Sequence, residues 1–159
     1  MRRIALSVAA SAATLSLAGC GVLNATGDST SASPAKGDDL TVGLLLPAKT
    51  NTRYDKFDYP IIKSKVSDLT AKQGKVEYEN ANADAAKQSG QMQKMIDDKV
   101  DVILLDAVDS HAIAGEVKKA KDAGIPVIAY DRLAEGPISA YVSFDNELVG
   151  EVQGRSLLD

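Results

Sequence analysis

VDVILLDAVDSHAIAGEVKKAKDAGIPVIAYDR, running from Val100 to Arg132, is the stretch whose reading decides the fold. Asp101 to Leu105 is a short apolar run rich in β-branched residues, as expected of a strand buried on both faces. Ser110 is a suitable N-cap, and Ile113, Val117 and Ala120 fall at i, i+4 and i+7, on one helical face. Gly124 stands where a helix ends in a left-handed residue, and Pro126 follows two residues later. Pro126 to Tyr130 then reads as the next strand. A strand, a crossover helix and a second strand joined in this way form a parallel pair with a right-handed connection. The two strands end in carboxylates, Asp106 and Asp131, and Arg132 follows the second. In open parallel sheets that edge is where ligands bind.

Upstream, Leu40 to Leu46 (LTVGLLL) is almost wholly apolar, which predicts a central strand, and Pro47 to Arg53 is a polar loop at its carboxyl end. Ile62, Val66 and Leu69 mark the inner face of a first helix. Pro60 either occupies the first turn of that helix or kinks one that starts near Asp55. Lys75 to Ala81 (KVEYENA) alternates and is more polar, the pattern of an edge strand. Ala83 to Lys99 reads as a helix with Ser89, Met92 and Ile96 inward and its methionines filling core space. Downstream, Ile138 to Phe144 is a fifth strand. Asp145 caps a last helix, with Glu147 in its first turn and Leu148, Val149 and Val152 along one side. The order β-α-β-α-β-α-β-β-α predicts an α/β fold: a flavodoxin-like parallel sheet of strand order 2-1-3-4-5 with helices on both faces. No repeat of 20–50 residues is present.

At 159 residues the chain suits one domain. Its formal charge is −4, and losing Arg2 and Arg3 with a leader takes it to −6, which argues against a nucleic-acid partner held by a basic patch. Residues 1–19 read as a secretory signal peptide: Met1-Arg2-Arg3 is basic, and Ile4 to Ala18 is an apolar run too short to span a bilayer comfortably. It ends Leu17-Ala18-Gly19-Cys20, which resembles the lipobox of bacterial lipoproteins and implies lipid attachment at Cys20. Two acyl chains, at about 0.8 kcal/mol per buried CH₂, anchor stably where one does not. The alternative is a plain secreted protein, or an uncleaved anchor. Residues 20–39, dominated by Gly, Ala, Ser, Thr and Asp, read as a flexible tether.

The carboxyl ends of the strands carry Lys49 to Arg53, then Asn80 and Asn82, then Asp106 and Asp109, then Asp131 and Arg132, then Asp145 and Asn146. They include no nucleophile, metal cluster or phosphate loop, and neither G-x-x-x-x-G-K nor G-x-G-x-x-G occurs. Carboxylates, amides and guanidinium groups beside an aromatic ring suit a polyhydroxylated ligand, with Tyr54 or Phe57 as the ring. Equally, Asp131 and Arg132 form a surface ion pair of little energetic consequence. His111, the only histidine, falls in the first turn of a helix with no second His, Cys or acid cluster to partner it, so general-base chemistry, a metal and a cofactor are not expected. Gly150-x-x-x-Gly154 reads as helix packing or chance.

The segments VDVILL, GEVKKAKDAGIPVIAYDRL and ISAYVSFDNELVGEVQG resemble the sugar-binding proteins of bacterial ABC importers, in particular the xylose-binding branch. The resemblance runs from Leu40 to the end. It implies the N-terminal lobe of a type I periplasmic binding protein over residues 40–144, with residues 145–159 as the first helix of a second lobe, so that the chain looks truncated and its sugar binding weakened. It further implies that Arg53, Tyr54, Asp131 and Arg132 contact a monosaccharide, a pentose by preference. The implied partners are an ABC permease with its ATPase and, through Cys20, the membrane, which places the protein outside the cytoplasm. No enzymatic activity follows from it. A sugar-sensing lobe for a chemotaxis or signalling receptor is the alternative, and an extracytoplasmic hydrolase a distant one. A repressor core would follow a DNA-binding headpiece. A phosphoacceptor receiver would need acidic residues where the first strand ends in Leu46-Pro47.

Overall fold

The computed structural model describes residues 39–158. The expected leader, the Cys20 attachment point and nearly all of the tether lie outside the described residues. The elements, in order, are β1 (Thr41–Leu46), a π-helical turn (Tyr54–Asp58), α1 (Tyr59–Leu69), β2 (Lys75–Asn80) and α2 (Ala85–Asp97). They continue with β3 (Val102–Leu105), α3 (Ala114–Asp122), β4 (Val127–Tyr130), β5 (Ala140–Val142) and α4 (Asn146–Arg155). The five strands form one parallel sheet in the order β2-β1-β3-β4-β5. The apolar first strand is inside and the alternating second strand is at the edge, as the sequence predicts.

Side chains of successive strand residues point to opposite faces. Leu45, Ile103, Leu105, Val127 and Ala129 therefore face α2 and α3, in a core that includes Met92, Met95, Ile113, Val117 and Ala120. Leu44 and Leu46 face the other way, with Tyr54 and, around them, Tyr59, Ile62, Val76, Tyr78 and Tyr130. Helix α2 approaches β1 closely because Gly43 lacks a side chain: a Cβ there would stand 2.6 Å from Met95 Sδ. Gly124 takes φ +78 one residue beyond the α3 cap, the left-handed exit expected of it.

Several local expectations are corrected. Leu69 does not face inward; it is 76% exposed, and Thr70 holds the buried position instead. The helix ends there as Ala71 and Lys72 turn left-handed, and the Thr70 hydroxyl donates to Val66 O at 2.6 Å. On α2 the inward face is Gln88, Met92 and Met95; Ser89 and Ile96 sit half-buried on its margin. Ser110 is not an N-cap. Asp109 caps the preceding turn, its carboxylate accepting from the His111 and Ala112 amides at 2.9 and 2.8 Å, and α3 begins only at Ala114. His111 therefore precedes the helix; it is exposed and pairs with Glu135 at 2.7 Å. β3 starts at Val102, since Asp101 turns its carboxylate onto the Thr41 amide at 2.7 Å.

Pro60 occupies the first turn of α1, one of the two expected placements, but helical winding begins upstream of it. Asn51 caps that upstream start, accepting from the Arg53 amide at 3.0 Å, and the π-helical turn carries the chain past Pro60. Proline cannot donate to the turn behind it, and widening that turn by one residue accommodates the loss. Asp145 caps α4 as expected, accepting from the Leu148 amide at 3.0 Å. Leu148, Val149 and Val152 are all exposed. Among the described residues, no helix is long and apolar enough to cross a membrane.

Candidate functional site

The site lies at the carboxyl edge of the sheet, where the chain leaves β1, β3 and β4. The π-helical turn brings Arg53 and Asp58, five residues apart, to the same side, and Arg53 Nε donates to Asp58 Oδ2 at 3.0 Å. Arg53 Nη2 reaches across the edge to Asp131 Oδ2 at 2.7 Å. Asp131 has φ +63, a conformation that Asp tolerates better than most residues. Its backbone is held in place from β5. Its amide donates to Val142 O at 2.8 Å, and its carbonyl accepts from Tyr141 Oη and Ser143 Oγ, each at 3.0 Å.

Beneath this pair lies Asp106, fully buried at the end of β3. Neither of its oxygens receives a hydrogen bond of ordinary geometry. Arg132 Nε stands 3.5 Å from Oδ1 and Arg53 Nη2 stands 3.8 Å from Oδ2. Burial pushes the Asp106 carboxyl up to about 7, with Arg132 pulling it down and Asp131 adding to the rise. Arg53 keeps its proton more firmly than usual: partial burial opposes its charge, but the bond to Asp131 and the nearby Asp58 outweigh that. Arg132 also donates through Nη1 to Ala107 O at 3.2 Å. Asp131 and Arg132 thus do not pair with each other; each finds its partner on a different strand end.

Tyr54 does not offer a stacking face. Its ring is only 2% exposed, packed under Leu44 and Leu46 on one side, with the Arg53 guanidinium 4.7 Å from its centroid. Burial, then the field of Asp106, raises its hydroxyl to about 12. Phe57 is half exposed beside Lys56. Two aromatics line the open cavity, half-buried Tyr130 and Phe144, the latter 74% exposed. That cavity, about 200 Å³, is bounded by Arg53, Tyr130, Asp131, Val142, Ser143 and Phe144. Arg132 lies outside its lining.

Three of the other polar residues at the strand ends serve the backbone. Asn80 donates to Ala48 O at 3.2 Å and accepts from the Asn82 amide at 2.9 Å, while Asp109 and Asp145 are caps. Among the described residues no group of three or more His, Cys, Asp or Glu is placed to hold a metal. Three contributors escape the sequence reading. Asp106 is visible only as a strand-end carboxylate, and Asp58 needs the π-helical spacing to be placed. Gln88 is the third. It is fully buried, donating Nε2 to Asp106 O at 2.9 Å and accepting from the Val108 amide at 2.8 Å. An uncharged polar residue four before Met92 on an apolar helix face is the signal that could have found it.

A family model described as periplasmic binding protein domain matches residues 42–159. The chain belongs to that family. It is 35% identical over 127 residues to the D-xylose-binding periplasmic protein of Haemophilus influenzae, covering 79% of this chain and 37% of that one. A multiple sugar-binding periplasmic protein of Azospirillum brasilense is 32% identical over 124 residues, covering 77% and 34%. Among solved structures, an ABC transporter solute-binding protein from Clostridium phytofermentans with bound β-D-glucose superposes with a TM-score of 0.68 at 29% identity. That match covers 73% of this chain and 35% of the other. The chain therefore spans little more than a third of the length of the relatives it matches.

Proposed function

We propose that this chain provides the sugar-binding face of an extracytoplasmic substrate-binding protein that serves an ABC importer and is not an enzyme. The observation that carries the reading is the meeting of Arg53 and Asp131, 78 residues apart in sequence, on the wall of an open cavity at the carboxyl edge of a parallel sheet. A guanidinium and a carboxylate side by side offer donors and acceptors to the vicinal hydroxyls of a monosaccharide, and the exposed ring of Phe144 offers an apolar face to its C–H side. Arg132 reaches the same ligand from beside the cavity, and Tyr54 supports Arg53 from below. The names of the relatives favour a sugar, and the D-xylose-binding ones favour a pentose. The lobe over residues 40–144 is the binding body. Delivery to an ABC permease and its ATPase belongs to the same proposal, supported by the likeness to an ABC transporter solute-binding protein, and lipid attachment at Cys20 is supported by the Leu17-Ala18-Gly19-Cys20 sequence.

Calorimetric titration with D-xylose, D-ribose and D-glucose tests the ligand. Saturable heat with a pentose that is lost in Arg53→Ala is expected; no heat from any of the three would overturn the reading. Mass spectrometry of the protein from a bacterial membrane fraction tests the anchor, and an unmodified Cys20 would remove it.

A further inference from the structure

Among the described residues Asp106 is the only buried acidic side chain, and nothing in the ligand-binding role assigned above uses it. Its main chain is fixed on both sides: its amide donates to Leu45 O at 2.9 Å, and Gln88 bonds its carbonyl. The carboxylate accepts no hydrogen bond of ordinary geometry, and the buried Tyr54 hydroxyl is a neutral donor that acts on it. A buried acceptor in that state is costly, and such groups in folded proteins ordinarily find partners. Two guanidinium groups wait just outside bonding distance, and one of them, Arg53, is already committed to Asp131. A ligand hydroxyl that recruits Asp131 leaves Arg53 short of its closest partner. A displacement of about 1 Å brings Arg53 Nη2 from 3.8 Å to bonding distance of Asp106 Oδ2.

We infer that Asp106 is a positioning residue, a reserve counter-ion that takes over Arg53 when Asp131 turns to the ligand. The inference rests on the sugar-binding reading and adds to it a buried group that never touches the sugar. Arg53 Nε stays with Asp58 throughout, and the exchange gives Nη2 a second carboxylate in place of Asp131. The charged and titratable groups facing Asp106 are Arg53 and Tyr54 from the segment after β1, and Asp131 and Arg132 from the segment after β4; helix α2 presents only the uncharged Gln88. A protonated Asp106 is a poor counter-ion. Ligand affinity therefore rises as pH passes upward through neutrality, where this carboxyl gives up its proton.

Two measurements test this. Carboxyl ¹³C NMR follows the Asp106 titration in the wild type, Asp131→Asn, Arg53→Gln and the double variant. Asp131→Asn should lower the Asp106 midpoint by about one unit or more as Arg53 moves onto it. In the Arg53→Gln background the same change should lower it by less than half as much, since only the lost Asp131 field remains. Equal shifts in both backgrounds would overturn the exchange. Calorimetry with D-xylose, D-ribose and D-glucose at pH 5.5 and pH 8 gives the second readout: affinity at least about fivefold tighter at pH 8 in the wild type, and no such gain in Asp106→Asn. Wild-type affinity that is independent of pH refutes the positioning role while leaving sugar binding intact. Absence of heat from every sugar at both pH values removes the sugar-binding reading, and the NMR cycle then decides alone whether Arg53 exchanges.

Discussion

Changing Asp106 to asparagine removes a charge while keeping the shape of the side chain, and the structure gives the effect on stability both a sign and a size. The carboxyl has an ordinary value of 3.8 and is pushed up to about 7 in the folded chain. Between those values the folded state holds more protons than the unfolded state, so stability falls as pH rises and levels off above the upper value. Three pH units correspond to about 4 kcal/mol at 1.36 kcal/mol per unit. Movement of Arg53 and Arg132 toward the ionised carboxylate reduces the realised cost to about 2–4 kcal/mol. Asparagine stands in for the neutral acid. Asp106→Asn is therefore expected to match the wild type at pH 4 and to exceed it in stability by about 2–4 kcal/mol at pH 8, roughly 10 °C in melting midpoint. The assay is a set of urea and thermal unfolding curves for both proteins from pH 4 to pH 9, read as a difference so that contributions common to both proteins cancel. A variant less stable than the wild type at pH 8, or a difference that does not change with pH, would show that Asp106 is an ionised anchor for the two arginines and would refute the reasoning.

Gln88→Leu, which strands the Val108 amide and the Asp106 carbonyl, should cost about 1–3 kcal/mol in urea unfolding. Gly43→Ala places a methyl against Met95 Sδ and should lower stability by about 1–3 kcal/mol, with Met95→Ala in the same background recovering part of it. At Asp131, whose φ is +63, asparagine and glycine should unfold at similar urea concentrations while alanine falls below both by about 1 kcal/mol; equal stability of all three would argue against a left-handed backbone there.

The sheet was legible because its evidence is periodic and local. Leu40 to Leu46 is apolar enough for an inner strand, KVEYENA alternates as an edge does, and Gly124 followed by Pro126 marks a helix end. The topology then places Arg53, Asp131 and Arg132 at one edge without any knowledge of contacts. Pairing is where local reading stops. Adjacency in sequence suggests Asp131 with Arg132, yet their partners are Arg53 and Asp106, because neighbouring residues at a strand end diverge and residues of different strands converge. Helix faces failed for two reasons: on the regularly wound α2 the expected stripe was one residue off at Ser89 and Ile96, and elsewhere the winding departs from 3.6 residues per turn. Tyr54 lies in the π-helical turn and goes inward, and Leu69 is the last residue of α1, where the chain unwinds before Thr70 can be passed over.

The π-helical turn is, in register terms, an α-helix with one residue too many. Deleting a single residue between Arg53 and Asp58 would restore regular winding with little rotation of what precedes it, because the wide turn spends five residues where an α-helical turn spends four. Arg53 and Asp58 would still share a side, as residues four apart on an α-helix do, and all five strands and their order would be untouched. One codon thus separates this helix from a plain one, and the wide turn is how the chain carries that extra residue in front of Pro60 while Arg53 and Asp58 keep a common face.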